Sequence, residues 1–148
     1  MSNPMEHNAA EGASYVLDAC SLIALIRREA GSDRVAMLLH QAEKGTVHLF
    51  VHRVTLAEVY YDVLRSSGKE KADAALAALE ALQIAVSYDL DITFIQTLSK
   101  YKVAHKISFA DAFVLALAET QNATVVTSDR HEFGPIEENG ILSFLWIR

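Results

Sequence analysis

The chain has 148 residues, 51% of them hydrophobic, with a formal net charge of −6 and a single cysteine. The length suits one domain, the apolar content excludes a disordered chain, and the acidic balance excludes a protein that holds nucleic acid simply through a basic surface. A lone cysteine excludes an internal disulfide and points to a reducing, cytoplasmic setting, while no apolar run nears the ~18 residues of a membrane span.

Residues 1–13 are polar and without periodicity, and read as a loose N-terminal tail ahead of one domain over 14–148. Tyr15 to Leu17 predicts a short buried strand, followed by a helix from Leu22 to Arg28. Gly31-Ser32 breaks the chain, and a second helix runs from Asp33 to Lys44. Val47 to Val51 is the second strand; helices follow over Thr55–Arg65 and Lys69–Leu82. Ile84 to Val86 is the third strand, with helices over Leu90–Lys102 and Ser108–Thr120 after it. Ala123 to Val126 is the fourth strand, Gly134-Pro135 and Asn139-Gly140 mark turns, and Leu142 to Ile147 is the last strand. Strands alternating with helices predict a parallel sheet covered on both faces, with ligands at the carboxyl ends of the strands.

Four carboxylates occupy such positions. Asp18 follows the first strand and is the only charge between Glu11 and Arg27; it is either a helix cap or a functional acid. Glu58 closes Thr55-Leu56-Ala57-Glu58, which reads as a capping box, and it lies off the apolar stripe of its helix. Asp111 is the only charge between Lys106 and Glu119, on a helix apolar nearly all round, where an unpaired carboxylate is costly. Ser108-x-x-Asp111 is also a variant capping box. Asp129 follows the fourth strand as a turn residue or a site residue. Four carboxylates converging on one sheet edge would repel one another and call for a cation, and hard oxygen donors suit magnesium or manganese.

The four segments resemble the ordered motifs of the PIN-domain ribonucleases. These are Tyr15-Val16-Leu17-Asp18-Ala19-Cys20-Ser21-Leu22, Thr55-Leu56-Ala57-Glu58-Val59, Ile107-Ser108-Phe109-Ala110-Asp111-Ala112 and Val125-Val126-Thr127-Ser128-Asp129-Arg130-His131. The resemblance implies a PIN-like three-layer α/β/α fold, with a central, mainly parallel sheet of four to five strands flanked by helices. The compact length is similar to the VapC-like toxins of toxin–antitoxin pairs. That implies a Mg2+- or Mn2+-dependent endoribonuclease that cuts RNA, forms a homodimer and is silenced by a cognate antitoxin. By the same resemblance Asp18, Asp111 and Asp129 hold the metal. Glu58 orients or deprotonates the attacking water, and Thr127 orients Asp129 or a metal-bound water from behind. The family often carries a hydroxyl or amide just after the first Asp, where this chain has Ala19 and Cys20.

Other polar residues take plainer readings. Cys20 has apolar neighbours in sequence and reads as a buried structural thiol. His48 and His52 flank a strand, His131 reads as a loop residue, and Phe109, Phe113 and Leu117 read as a core stripe. Arg27, Arg28, Arg53, Arg65 and Arg130 are candidates for phosphate contact or plain surface charges. A catalytically silent binding domain of the same fold, a structure-specific DNA nuclease and a magnesium phosphatase are the alternatives.

Overall fold

The computed structural model describes residues 12–148, so the reading of a loose tail falls largely outside the described residues; at its end, Ala13 already belongs to a strand. The elements in order are β1 (Ala13–Leu17), α1 (Ala19–Arg27), α2 (Ser32–Glu43), β2 (Val47–His52), α3 (Arg53–Ser67), α4 (Lys69–Glu80) and β3 (Ala85–Ser87). Then come α5 (Ile92–Ala104), α6 (Phe109–Gln121), β4 (Thr124–Thr127), α7 (Arg130–Glu137) and β5 (Phe144–Trp146).

The strands form one sheet in the order β3-β2-β1-β4-β5. Every neighbouring pair is parallel, with Val16 opposite Phe50 on one side and Val125 on the other. Period-two alternation sends Tyr15 and Leu17 into one core and Val16 into the other. The first core collects the apolar faces of α1 to α4, through residues such as Leu22, Leu38, Val59 and Leu79. The second collects α5 to α7, through Phe94, Leu98, Leu115 and Phe133. This is the expected three-layer α/β/α arrangement, with helices over both faces of a five-stranded parallel sheet.

From β1 the chain builds outward through β2 and β3, then returns to the other side of β1 for β4 and β5. The direction of winding therefore reverses between β1 and β4, the position at which parallel sheets of this kind bind ligands, past the carboxyl ends of the strands. Asp18 immediately follows β1, and Asp129 lies just past β4.

Two local readings need correction. Gly134-Pro135 lies within a helix: α7 is capped by Asp129 and anchored by the buried Phe133 and Ile136. Those two side chains share one face of the helix, and their burial outweighs the backbone bond that Pro135 cannot donate. Phe109 is not core; it is 61% exposed and touches Phe113 edge-on.

Candidate active site

The site grows from two strand-to-helix junctions, one helix-to-helix junction and one helix face. At the first, β1 passes into α1 through Asp18 alone, and Asp18 Oδ1 accepts the Ser21 N–H at 2.8 Å as the helix cap. The Ser21 hydroxyl returns a bond to the Asp18 carbonyl at 2.9 Å. The cap reading is thus correct, but it uses one carboxylate oxygen. The other accepts the Thr127 hydroxyl hydrogen at the end of β4. Asp18 is only 1% exposed. Burial drives its carboxyl up to about 6, against the lowering pull of the Thr127 and Ser21 bonds, and the Asp129 charge raises it further.

At the second junction, Thr127 Oγ1 accepts the Asp129 N–H at 3.0 Å, and Asp129 Oδ1 accepts the Glu132 N–H at 3.0 Å. Asp129 is therefore the cap of α7 rather than a simple turn residue, and one hydroxyl ties the β1 and β4 junctions together. Thr127, expected behind Asp129, holds the Asp18 carboxylate and the Asp129 backbone.

At the third, Ser108 caps α6, its hydroxyl oxygen accepting the Asp111 N–H at 3.0 Å. Asp111 projects from the first turn of a helix whose next seven residues are all buried. Burial raises its carboxyl to about 7, and Glu58, Asp18 and Asp129 add their repulsion, with the Ser108 bond opposing.

Glu58 comes from α3, and here the capping-box reading fails. Strand β2 runs straight into α3, so the helix starts at Arg53 and His52 is its cap, with Nδ1 accepting the Val54 N–H at 3.0 Å. Glu58 then falls in the second turn, out of reach of a capping role, and the buried Thr55 hydroxyl meets no partner. Oε2 of Glu58 is likewise shut off from solvent with no hydrogen-bond partner. Burial, then Asp62 and Asp129, raise the Glu58 carboxyl.

Cys20 was misread. Its neighbours in sequence are apolar, but in space it feels all four acids. Burial pushes its thiol up to about 12, and Asp18, Asp129, Asp111 and Glu58 all contribute. The sequence clue was its place two residues after Asp18, at the start of the same helix. Asp62 is a second omission: one turn after Glu58, it adds to the negative field there.

The structure therefore brings all four expected acids into mutual electrostatic range. Among the described residues, no three His, Cys, Asp or Glu side chains close into a ready cage around an ion. The donors nevertheless fit a hard divalent cation. They are carboxylate oxygens, burial and repulsion raise the carboxyls of Asp18 and Asp111, and the buried Oε2 of Glu58 lacks a partner. Magnesium in particular is held by one or two carboxylates while keeping several waters, and needs no closed protein cage.

The PIN domain family model matches residues 15–136. No curated protein matches the chain by sequence. Among solved structures, VapBC-1 from nontypeable Haemophilus influenzae is 23% identical, with 90% of this chain and 98% of that chain covered and a TM-score of 0.66. VapBC2 from Rickettsia felis, bound to a promoter DNA fragment, is 20% identical over 89% of this chain and 97% of that one, at 0.69. The Mycobacterium tuberculosis VapC20 toxin, described as cleaving the Sarcin-Ricin loop, is 18% identical over 82% and 94%, at 0.62. At these identities the solved structures share the fold. With the family match running from β1 into α7, the chain belongs to the PIN-domain family.

Proposed function

We propose that this chain is a metal-dependent endoribonuclease that hydrolyses phosphodiester bonds in RNA, and that it is the toxin of a toxin–antitoxin pair. The observation that carries the reading is the set of four acids within electrostatic range of one another, two of them just past β1 and β4. Burial and mutual repulsion raise Asp18 and Asp111 to about 6 and about 7. An acidic cluster held in that state gains stability from a bound divalent ion.

Asp18, Asp111 and Asp129 are the proposed holders of Mg2+ or Mn2+. When bound, the ion supplies Lewis-acid stabilisation of charge developing on the phosphoryl oxygens. Glu58 orients the attacking water and accepts its proton on its carboxylate. Its raised carboxyl makes it a stronger base than an exposed glutamate. Thr127 fixes the direction of the Asp18 carboxylate and the backbone of Asp129. Ser108 and Ser21 fix the helix starts that carry Asp111 and Asp18.

The toxin assignment draws on the kinship with VapBC structures and on a solved toxin–antitoxin complex from Klebsiella pneumoniae at a TM-score of 0.63. It carries with it a cognate antitoxin, a homodimer and a cytoplasmic site of action. No helix among the described residues is long and apolar enough to cross a membrane. The direct test is cleavage of a single-stranded RNA in Mn2+ by the purified chain. Activity abolished in folded Asp18→Ala and Asp111→Ala proteins supports the reading, and cleavage that survives both substitutions sinks it.

A further inference from the structure

Helix α3 carries Glu58 toward the acid cluster, and the same face continues past it. Tyr61, Asp62 and Arg65 follow Glu58 at the i+3, i+4 and i+7 positions, so the four side chains form one stripe. At a rise of ~1.5 Å per residue the stripe extends about 10 Å beyond Glu58.

Three features of this stripe have no explanation in the fold. Tyr61 is 60% exposed, although a tyrosine ring is normally used for packing. The Arg65 guanidinium lies over that ring, 5.6 Å from its centroid, and its side chain is itself 66% exposed. Asp62 grips two guanidiniums at once: Arg65 Nη2 at 3.0 Å from Oδ1, and Arg27 Nη2 at 3.2 Å from Oδ2. Arg27 also donates to the Ser66 hydroxyl at 2.7 Å. Exposed ion pairs of this kind add little to stability. The two cations offset both Asp62 and the neighbouring Glu58, on a chain whose net charge is −6.

We propose that Tyr61 and Arg65, with Arg27 beside them, form a subsite for single-stranded RNA: an unpaired base stacks on Tyr61, and the adjoining phosphate meets the two guanidiniums. The inference rests on the ribonuclease reading and deepens it, because it names the form of RNA taken and the direction in which the strand leaves the acids. Aromatic rings interleaved with cations are the usual means of holding an unpaired strand, since every base has a face to stack and every nucleotide a phosphate. A duplex keeps its bases stacked inside and offers nothing to Tyr61. The acid cluster repels phosphate, so a substrate needs a cationic hold next to it, and α3 supplies one within two turns of Glu58.

The test uses the full chain in an Asp111→Asn background, so that RNA survives the measurement. Anisotropy of a short labelled RNA of mixed, unstructured sequence gives its affinity, and the same strand annealed to its complement gives the duplex comparison. Tyr61→Ala is expected to weaken single-strand binding roughly tenfold or more, with Tyr61→Phe close to the parent and duplex binding unmoved. Arg65→Ala and Arg27→Ala are each expected to lower the salt dependence by about one phosphate contact. Single-strand affinity unchanged by Tyr61→Ala overturns the subsite, as does an equal loss for single strand and duplex. Cleavage by the unsubstituted chain in Mn2+ separates the two levels. If the chain cuts RNA but ignores these substitutions, only the subsite falls; if it neither binds nor cuts RNA, the ribonuclease reading falls with it.

Discussion

Thr127 donates its hydroxyl hydrogen to the carboxylate of Asp18, which lies 109 positions earlier in the chain. The same oxygen accepts the Asp129 N–H. A single β4 side chain thus sets the orientation of one acid and the backbone position of another, across the point where the sheet reverses its winding.

Replacing Thr127 by Val keeps the shape and removes both bonds. The Asp18 carboxylate then loses a bond that lowers its pKa, and its buried oxygen loses a partner. The expected result is a folded protein destabilised by roughly 1–3 kcal/mol. Mn2+ affinity should fall about 10- to 100-fold, the usual effect of losing a group that orients a ligand. Thr127→Ser restores both. Calorimetric titration of the three proteins measures this, and equal Mn2+ affinity in Thr127→Val would show that Asp18 needs no such support.

Asp111 makes a prediction about pH. Its carboxyl is raised from 3.8 to about 7 in the folded chain, first by burial and then by Glu58. Between those values the folded form holds a proton that the unfolded form has released, so stability falls as pH rises. The contribution is complete below 3.8 and gone above about 7. In chelator, the Tm of the native chain relative to Asp111→Asn should therefore decline across that window and level off above it. At higher pH the metal-free Asn variant is the more stable of the two, and added Mn2+ reverses the order by stabilising only the native site. Tm curves that run parallel through the window would refute the assignment.

The positions of the acids along the chain were legible because a carboxylate at the end of a strand, or alone on an apolar helix, stands out. Their local roles were less so. Thr55-x-x-Glu58 has the form of a capping box, but the helix begins earlier, because β2 passes into α3 with no loop and His52 does the capping. Nothing within the four-residue pattern reports that junction. Gly134-Pro135 signals a turn locally, and only the burial of Phe133 and Ile136 against the second core makes it helix. Cys20 shows the same gap most sharply. Its immediate sequence neighbours are apolar, while it feels the charge of Asp18 two residues back and of three acids on elements far along the chain.

Burial, with that acidic setting, predicts the chemistry of Cys20. With its thiol pushed up to about 12, almost no thiolate exists near neutral pH. Iodoacetamide at about pH 8 should leave the native thiol largely unmodified over a time in which the urea-unfolded chain, with a thiol pKa of about 8.5, reacts fully. Mass spectrometry of the two samples decides it. Rapid labelling of the native chain would mean that burial and the four acids do not hold the thiol protonated.

His52 gives a pH effect of opposite sign. Its Nδ1 accepts the Val54 N–H at 3.0 Å, and its Nε2 meets the Asp89 carbonyl at 2.9 Å. An amide can only donate and a carbonyl can only accept, so the ring is neutral with its proton on Nε2. It also packs on Phe94 and Phe113, with centroids 5.3 and 4.7 Å away, and so joins β2 and α3 to α5 and α6. Burial lowers its pKa below 6.5, against the raising pull of Asp89. The unfolded chain therefore takes up the proton first as pH falls. The stability His52 contributes is present above 6.5 and is lost as pH drops through the lowered folded value. His52→Ala should destabilise the fold at neutral pH by roughly 2 kcal/mol, about 1 from the cap and the rest from ring contacts. His52→Asn keeps a cap and loses only the ring contacts. The Tm gap between the native chain and His52→Asn should narrow on going from about pH 8 to about pH 5. Because Glu58 and Asp111 ride on the two helices that His52 joins, the same variant should also bind Mn2+ more weakly at constant pH. A gap that stays constant with pH, alongside unchanged Mn2+ affinity, would reduce His52 to ordinary packing.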